Sequence, residues 1–201
     1  MNRGKTFDVQ KLVLLALLTS VVVVLQLLAS FIPVGPFRLT LVLMPIVIGS
    51  ALIGKAAGAW LGFVFGFIVL ISSPDVPIFL QFNAFATVFV ILFRGVSAGF
   101  LAGLVYELLE KKSKTVAVVS AAIICPIVNT GLFILGLYVF FLPLISEWYA
   151  GFANVTAFIF IGMIGSNFLI EFAINLVLSP AIVRLVQYRR EFRSVEVANN
   201  G

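Results

Sequence analysis

Residues 39–72, LTLVLMPIVIGSALIGKAAGAWLGFVFGFIVLIS, decide the fold. A membrane-crossing helix needs roughly 20 apolar residues. This run is too long for one crossing and too short for two generous ones. Gly54-Lys55 interrupts it, which predicts a short span over 39–53 and another over 56–71. Merging the two would move every later loop to the opposite side of the membrane.

Four more apolar runs flank this stretch, over about 9–32, 82–108, 116–142 and 155–185. The first follows Arg3 and Lys5, as a secretory signal would, but it is far longer than the ~7–15 apolar residues of a signal core and reads as a retained span. Residues 33–38 (PVGPFR) and 72–77 (SSPDVP) are turn-rich loops, and 110–114 (EKKSK) is a hydrophilic break. The expectation is an all-α integral membrane protein with six transmembrane helices. It forms one domain over 1–193 with no soluble domain, followed by a short polar, mobile tail over 194–201.

Charge sets the orientation. Six spans put both termini on one side, which receives Arg3, Lys5, Lys11, Lys55, Lys111, Lys112, Lys114, Arg184, Arg189, Arg190 and Arg193. These are 11 of the 13 Lys and Arg residues. Arg38 falls on the other side and Arg94 inside a span. Basic loops stay cytoplasmic, so both termini are expected in the cytoplasm of a bacterial cell and the chain in its membrane.

Composition narrows the chemistry. The chain has 201 residues, 62% hydrophobic and only 10% charged, against ~25% charged in soluble domains. With no histidine, a Ser-His-Asp triad and a histidine metal site are excluded. The single cysteine, Cys125, lies within an apolar run and reads as packing. There is no phosphate-binding loop, so the chain cannot by itself be an ATP-driven pump. Nothing calls for a cofactor, a metal or a nucleic-acid partner.

Small residues mark close helix approach in membranes. Gly58, Gly62 and Gly66 line one face of the third span; Gly95, Ser97, Ala98, Gly99, Ala102 and Gly103 crowd the fourth. Both read as internal packing. Ala16 and Ser20, four apart in the first span, fit either internal packing or a docking surface for a partner membrane protein.

Ionisable groups at membrane depth face a cavity or a partner. Arg94 lies ~14–18 Å below the outer end of its span, too deep to reach that surface easily. Asn129 and Asn167 fall at a similar depth in two other spans, so the three are expected to share one layer. Asn167, Glu171 and Asn175, spaced by four, share one helix face. Two readings of Arg94 stay open. It is an ion-pair partner of Glu171, or it presents its fork to a ligand carboxylate, with Asn129 and Asn167 hydrogen-bonding the ligand. The outer loops, carrying Arg38, Gln81, Asn83, Glu147, Trp148 and Tyr149, suit a lid.

With these residues in place, the chain resembles the substrate-capture (S) components of energy-coupling factor (ECF) vitamin transporters. The resemblance covers about residues 10–190. It rests on the six-span size and on three stretches: LVLMPIVIGSALIGKAAGAWLGFVFGF over 41–67, CPIVNTGLFILG over 125–136 and NFLIEFAINLVLSPAIV over 167–183. Ala16 and Ser20 correspond to the family's Ala-xxx-Ala pattern in the first helix, with serine in place of the second alanine.

The resemblance implies capture of a small water-soluble vitamin near the outer face. It further implies docking, largely through helices one to three, onto a membrane coupling subunit (the T component) that rests on two ATPase subunits. A cation at Arg94, aided by Arg38, favours an acid. Amides at Asn83, Asn129 and Asn167 favour hydroxyl and amide partners. Pantothenate, with a carboxylate, an amide and two hydroxyls, fits best, and the stretch around Asn129 resembles the pantothenate-type group. Biotin and folate are alternative acids; cobalamin fits less well, and cationic thiamine is disfavoured. Two other classes compete: a stand-alone carrier or channel, and an intramembrane enzyme, for which Arg94 and Glu171 make a poor acid–base couple.

Overall fold

The computed structural model describes residues 3–29, 31, 33–34, 37–38, 42–147, 154–159 and 166–199. Among them, helix α1 (Arg3–Ala29) is followed by a two-residue antiparallel pair, β1 (Pro33–Val34) and β2 (Phe37–Arg38), with Pro33 opposite Arg38. Then come α2 (Leu43–Leu52), α3 (Lys55–Ser72), α4 (Val76–Leu109), α5 (Lys114–Phe140), two short helices α6 (Leu142–Ser146) and α7 (Val155–Ala157), and α8 (Ser166–Asn199). Five of the described helices, α1, α3, α4, α5 and α8, are long and apolar enough to cross a membrane.

The expected second span is the ten-residue α2. At 1.5 Å per residue it reaches about 15 Å, half of a ~30 Å hydrocarbon core. It stops at Gly54, whose φ of 128° is open to glycine but strained for other residues. The Gly54 carbonyl then accepts from the N–H groups of Ala57 and Gly58 and starts α3.

The α3–α4 pair is the spine. Gly58 and Gly62 of α3 meet Gly99 and Gly95 of α4 backbone to backbone, so that a Cβ on any of the four would overlap the facing carbonyl. These glycines pack inside the bundle, as expected of them. Ser50 of α2 donates from its hydroxyl to the Gly99 carbonyl at 3.0 Å, pinning the short helix to the same seam. On the other side of α3, the Trp60 indole N–H donates to the Thr19 hydroxyl at 3.2 Å and ties α1 to the spine.

Two prolines sit inside long helices, Pro126 in α5 and Pro180 in α8. Each lacks an N–H and leaves the carbonyl four residues earlier without its usual donor. In α8 the Ser179 hydroxyl takes up that carbonyl, donating to Leu176 at 2.8 Å.

The core has two parts. The larger one runs along α1–α5 and α8, through Leu43, Ile46, Leu61, Phe65, Ala98, Ala121, Cys125 and Ile182. The smaller one, at the far end from Gly54, gathers Phe79, Ala86, Leu137, Phe141, Ile145 and Ile159. Phe79 packs edge-to-face on Phe141, with ring centroids 5.0 Å apart, an arrangement favoured by the ring quadrupoles.

Two expectations change. Residues 76–81, read outside the fourth span, are helical, because Pro77 in the first turn suits a helix start. Within the sixth span, expected over 155–185, the described residues are helical, in α7 and in α8 from Ser166 onward. The tail after Arg193, expected to be mobile, continues α8 to Asn199; its Glu, Val and Ala residues contain no helix breaker.

Candidate functional site

The site begins with Arg94, on α4 where the two parts of the core meet. Its neighbours Ile91 and Ala98 belong to the larger part, and Phe133 of α5 packs on the smaller one. Arg94 is partly buried. Its Cζ lies 4.4 Å from the centroid of the Phe133 ring and 5.9 Å from that of Phe65 on α3. The Nε has no hydrogen-bond partner among the described residues. The carboxylates of Glu171 and Asp75 act on the guanidinium through space.

Helix α5 lines the site with one face. Cys125, Asn129 and Phe133 are spaced by four and stack along it. Asn129 is 3% exposed, and its Oδ1 finds no hydrogen bond among the described residues. Cys125 is fully buried in the larger core, as a packing thiol. The register departs from the shared layer expected of Arg94 and Asn129. Val90 faces Gly136 and Arg94 faces Phe133, so α4 and α5 run antiparallel. Asn129 therefore lies one turn, about 6 Å, farther along toward the Gly54 end.

Helix α8 packs on α5. Glu171, Asn175 and Ser179 are buried and spaced by four. Asn175 Nδ2 donates to the Glu171 carbonyl at 2.9 Å, which fixes the amide's orientation and leaves its Oδ1 without a described hydrogen bond. Two buried amide oxygens, on α5 and α8, thus have no described hydrogen bond, and the Glu171 carboxylate acts on the Arg94 cation. That arrangement can receive a molecule with an acid group at one end and hydrogen-bond donors along its length.

The other expected ligand contacts divide. Gln81 and Asn83 are exposed. Asn83 interrupts α4 with φ −154° and ψ 96°, and its Oδ1 accepts the Ala86 N–H at 3.0 Å. Its amide oxygen therefore caps the main length of α4. Arg38 is described in its backbone alone, paired with Pro33. The side chain of Asn167 and the whole of Trp148 lie outside the described residues.

The sequence reading missed Phe133. The signal was present: an aromatic residue one turn from Asn129 on the polar face of the same helix. Among 21 phenylalanines it does not stand out.

On the outside of the bundle, α1 buries Leu18, Val22, Gln26 and Ala29 and exposes Leu12, Val13, Leu17, Val21 and Val24. Ala16 and Ser20 lie on the exposed side. The Ser20 hydroxyl donates to the Ala16 carbonyl at 3.0 Å, so both present a small surface with its polar group already satisfied.

A family model described as ECF transporter, substrate-specific component, matches residues 10–183. The chain belongs to that family. No curated protein sequence matches it significantly. As an S component it is the substrate-binding subunit of a multi-pass membrane transporter and not an enzyme. It works with a T component and ATPase subunits, which supply the energy its own sequence has no loop to harvest.

Proposed function

We propose that this S component captures a small vitamin bearing a carboxylate, pantothenate first, with biotin and folate as the alternative acids. The observation that carries this reading is Arg94, a cation set on a phenyl ring whose Nε has no described hydrogen bond. A bidentate carboxylate matches such a fork. The Asn129 and Asn175 oxygens would take the hydroxyl and amide donors of pantothenate. Asn83, whose oxygen also accepts from the Ala86 N–H, keeps its amide N–H groups and a second oxygen lone pair for this purpose. Gln81, Arg38, Asn167 and Trp148 remain contacts proposed from sequence.

Glu171 acts on Arg94 through space and offsets part of its charge, while the Arg94 Nε–H keeps no described hydrogen bond.

The binding end is taken to face outward. Lys55 contacts Glu107, which places Lys55 near the turn carrying Lys111, Lys112 and Lys114. This basic end suits the cytoplasm, together with both termini. Docking to the T component is assigned to the exposed Ala16–Ser20 stripe of α1.

Arg94→Gln in the full chain, purified in detergent, tests the reading. Losing a charge-assisted pair predicts at least a tenfold weaker binding of labelled pantothenate, from about 1.5–3 kcal/mol. Unchanged affinity in folded protein removes Arg94 from the site. The mass of the small molecule that co-purifies with the parent protein identifies the vitamin.

A further inference from the structure

We propose that Phe133 is the positioning residue that makes the site select for a negatively charged substrate. It does so by supporting the Arg94 cation without occupying its N–H groups. The inference rests on the reading that Arg94 meets the substrate's acid group.

Removed from water, a guanidinium must be compensated, and a carboxylate does this by accepting from the fork. That solution spends the donors a ligand would use. An aromatic ring compensates differently, because its negative face attracts the charge and accepts no classical hydrogen bond. The Cζ of Arg94 lies 4.4 Å from the Phe133 centroid, inside the ~6 Å range of such attraction. The Nε is left without a described hydrogen bond. The closer ring holds the charge in place, and the Nε–H stays available to an incoming anion.

The position of Phe133 makes this a property of the site and not only of Arg94. Phe133 stands one turn from Asn129 on the same face of α5 and packs on the aromatic part of the core. Its ring is therefore held by that packing, and it holds the guanidinium against α5. Phe65, at 5.9 Å and buried on α3, adds a weaker support from the other helix packed on α4.

The test compares an acid with its neutral analogue. Binding of pantothenate, and of the alcohol in which CH2OH replaces its carboxylate, is measured by titration calorimetry on the full chain in detergent. Biotin with its primary amide, and folate, serve as further probes. The parent protein is expected to prefer the acid. Phe133→Leu should weaken acid binding about 2- to 30-fold more than binding of the neutral analogue; Phe133→Tyr, which keeps the ring, should retain the preference. A series of fluorinated phenylalanines at position 133 keeps the shape and weakens the ring's negative face. It should lower the preference stepwise, and it decides the matter if the leucine variant does not fold.

A parent that prefers the acid, together with a flat fluorination series, overturns the role of Phe133 and leaves Arg94 in place. A parent that binds acid and neutral forms equally, or binds none of the three acids, overturns the acid reading and this inference with it.

Discussion

Gly62 of α3 and Gly95 of α4 touch backbone against backbone, and a Cβ on either would overlap the other's carbonyl. In a bilayer the lipid tails are as apolar as leucine, so helices associate through such close packing and not through exclusion of water. Gly62→Ala forces the spine apart and should destabilise the fold by about 1–3 kcal/mol, read as a lower thermal midpoint in detergent. Gly131 of α5 is the control, since a Cβ there meets nothing within 4 Å. Gly131→Ala should be neutral or raise the midpoint, because alanine is the better helix former by about 1 kcal/mol. Equal loss in both variants would mean that the glycine seam does not hold the spine.

Glu107 closes the opposite end of that spine. Its Oε2 accepts from Lys55 Nζ at 2.9 Å, and its Oε1 accepts the Lys55 backbone N–H at 3.3 Å. It thereby caps the first turn of α3 from a different helix, where Gly54 has no side chain to offer. Both partners are over a third exposed, so the ion pair itself contributes under about 1 kcal/mol. Glu107→Gln keeps an acceptor for the N–H and should cost little. Glu107→Ala removes the cap as well and should lose about 1 kcal/mol more. Thermal unfolding of the two variants separates the terms, and added salt should narrow only the gap between parent and Gln.

Asn83 is the helix cap concealed within α4. With φ at −154° it breaks the helix, and its Oδ1 receives the Ala86 N–H, so that residues 76–82 take their own direction and set Phe79 and Phe82 against Phe141. Asn83→Asp or Ser keeps a capping oxygen and should stay near parent stability. Asn83→Ala favours an uninterrupted helix and should lose about 1 kcal/mol by thermal unfolding. An alanine variant as stable as the aspartate one would show that the oxygen does not carry the break.

Much of this was legible in the sequence because membrane segments announce themselves by length and hydropathy. Gly54 marked the break between α2 and α3, and the glycines at 58, 62, 95 and 99 marked the seam, because small residues at helical spacing have few other uses in an apolar chain. Asn83 was readable as polar but not as a cap: the same side chain serves a ligand or a backbone N–H, and only φ and ψ distinguish them. Register was hidden too. Depth counted from uncertain span ends put Arg94 and Asn129 on one level, whereas α4 meets α5 with Arg94 against Phe133, one turn away. The length of α8 was misjudged for a similar reason, since composition reports polarity and polar residues can continue a helix.

Docking of α1 gives the last prediction. The helix turns Leu18, Val22, Gln26 and Ala29 inward, and the opposite side carries Ala16 and Ser20 between exposed Leu12, Val13, Leu17 and Val24. Two small residues four apart, with the one hydroxyl satisfied on its own helix, let another helix approach closely without leaving a polar group unpaired. Ala16→Trp fills that depression while touching none of the buried face. It should abolish co-purification with the T component and ATPase subunits and leave vitamin binding by the isolated S component at the parent value. Ala16→Gly, which keeps the depression, should retain the complex. If the tryptophan variant still assembles, the partner meets another surface; loss of both assembly and vitamin binding, with a lowered thermal midpoint, would report a broken fold, and the glycine variant would then carry the comparison.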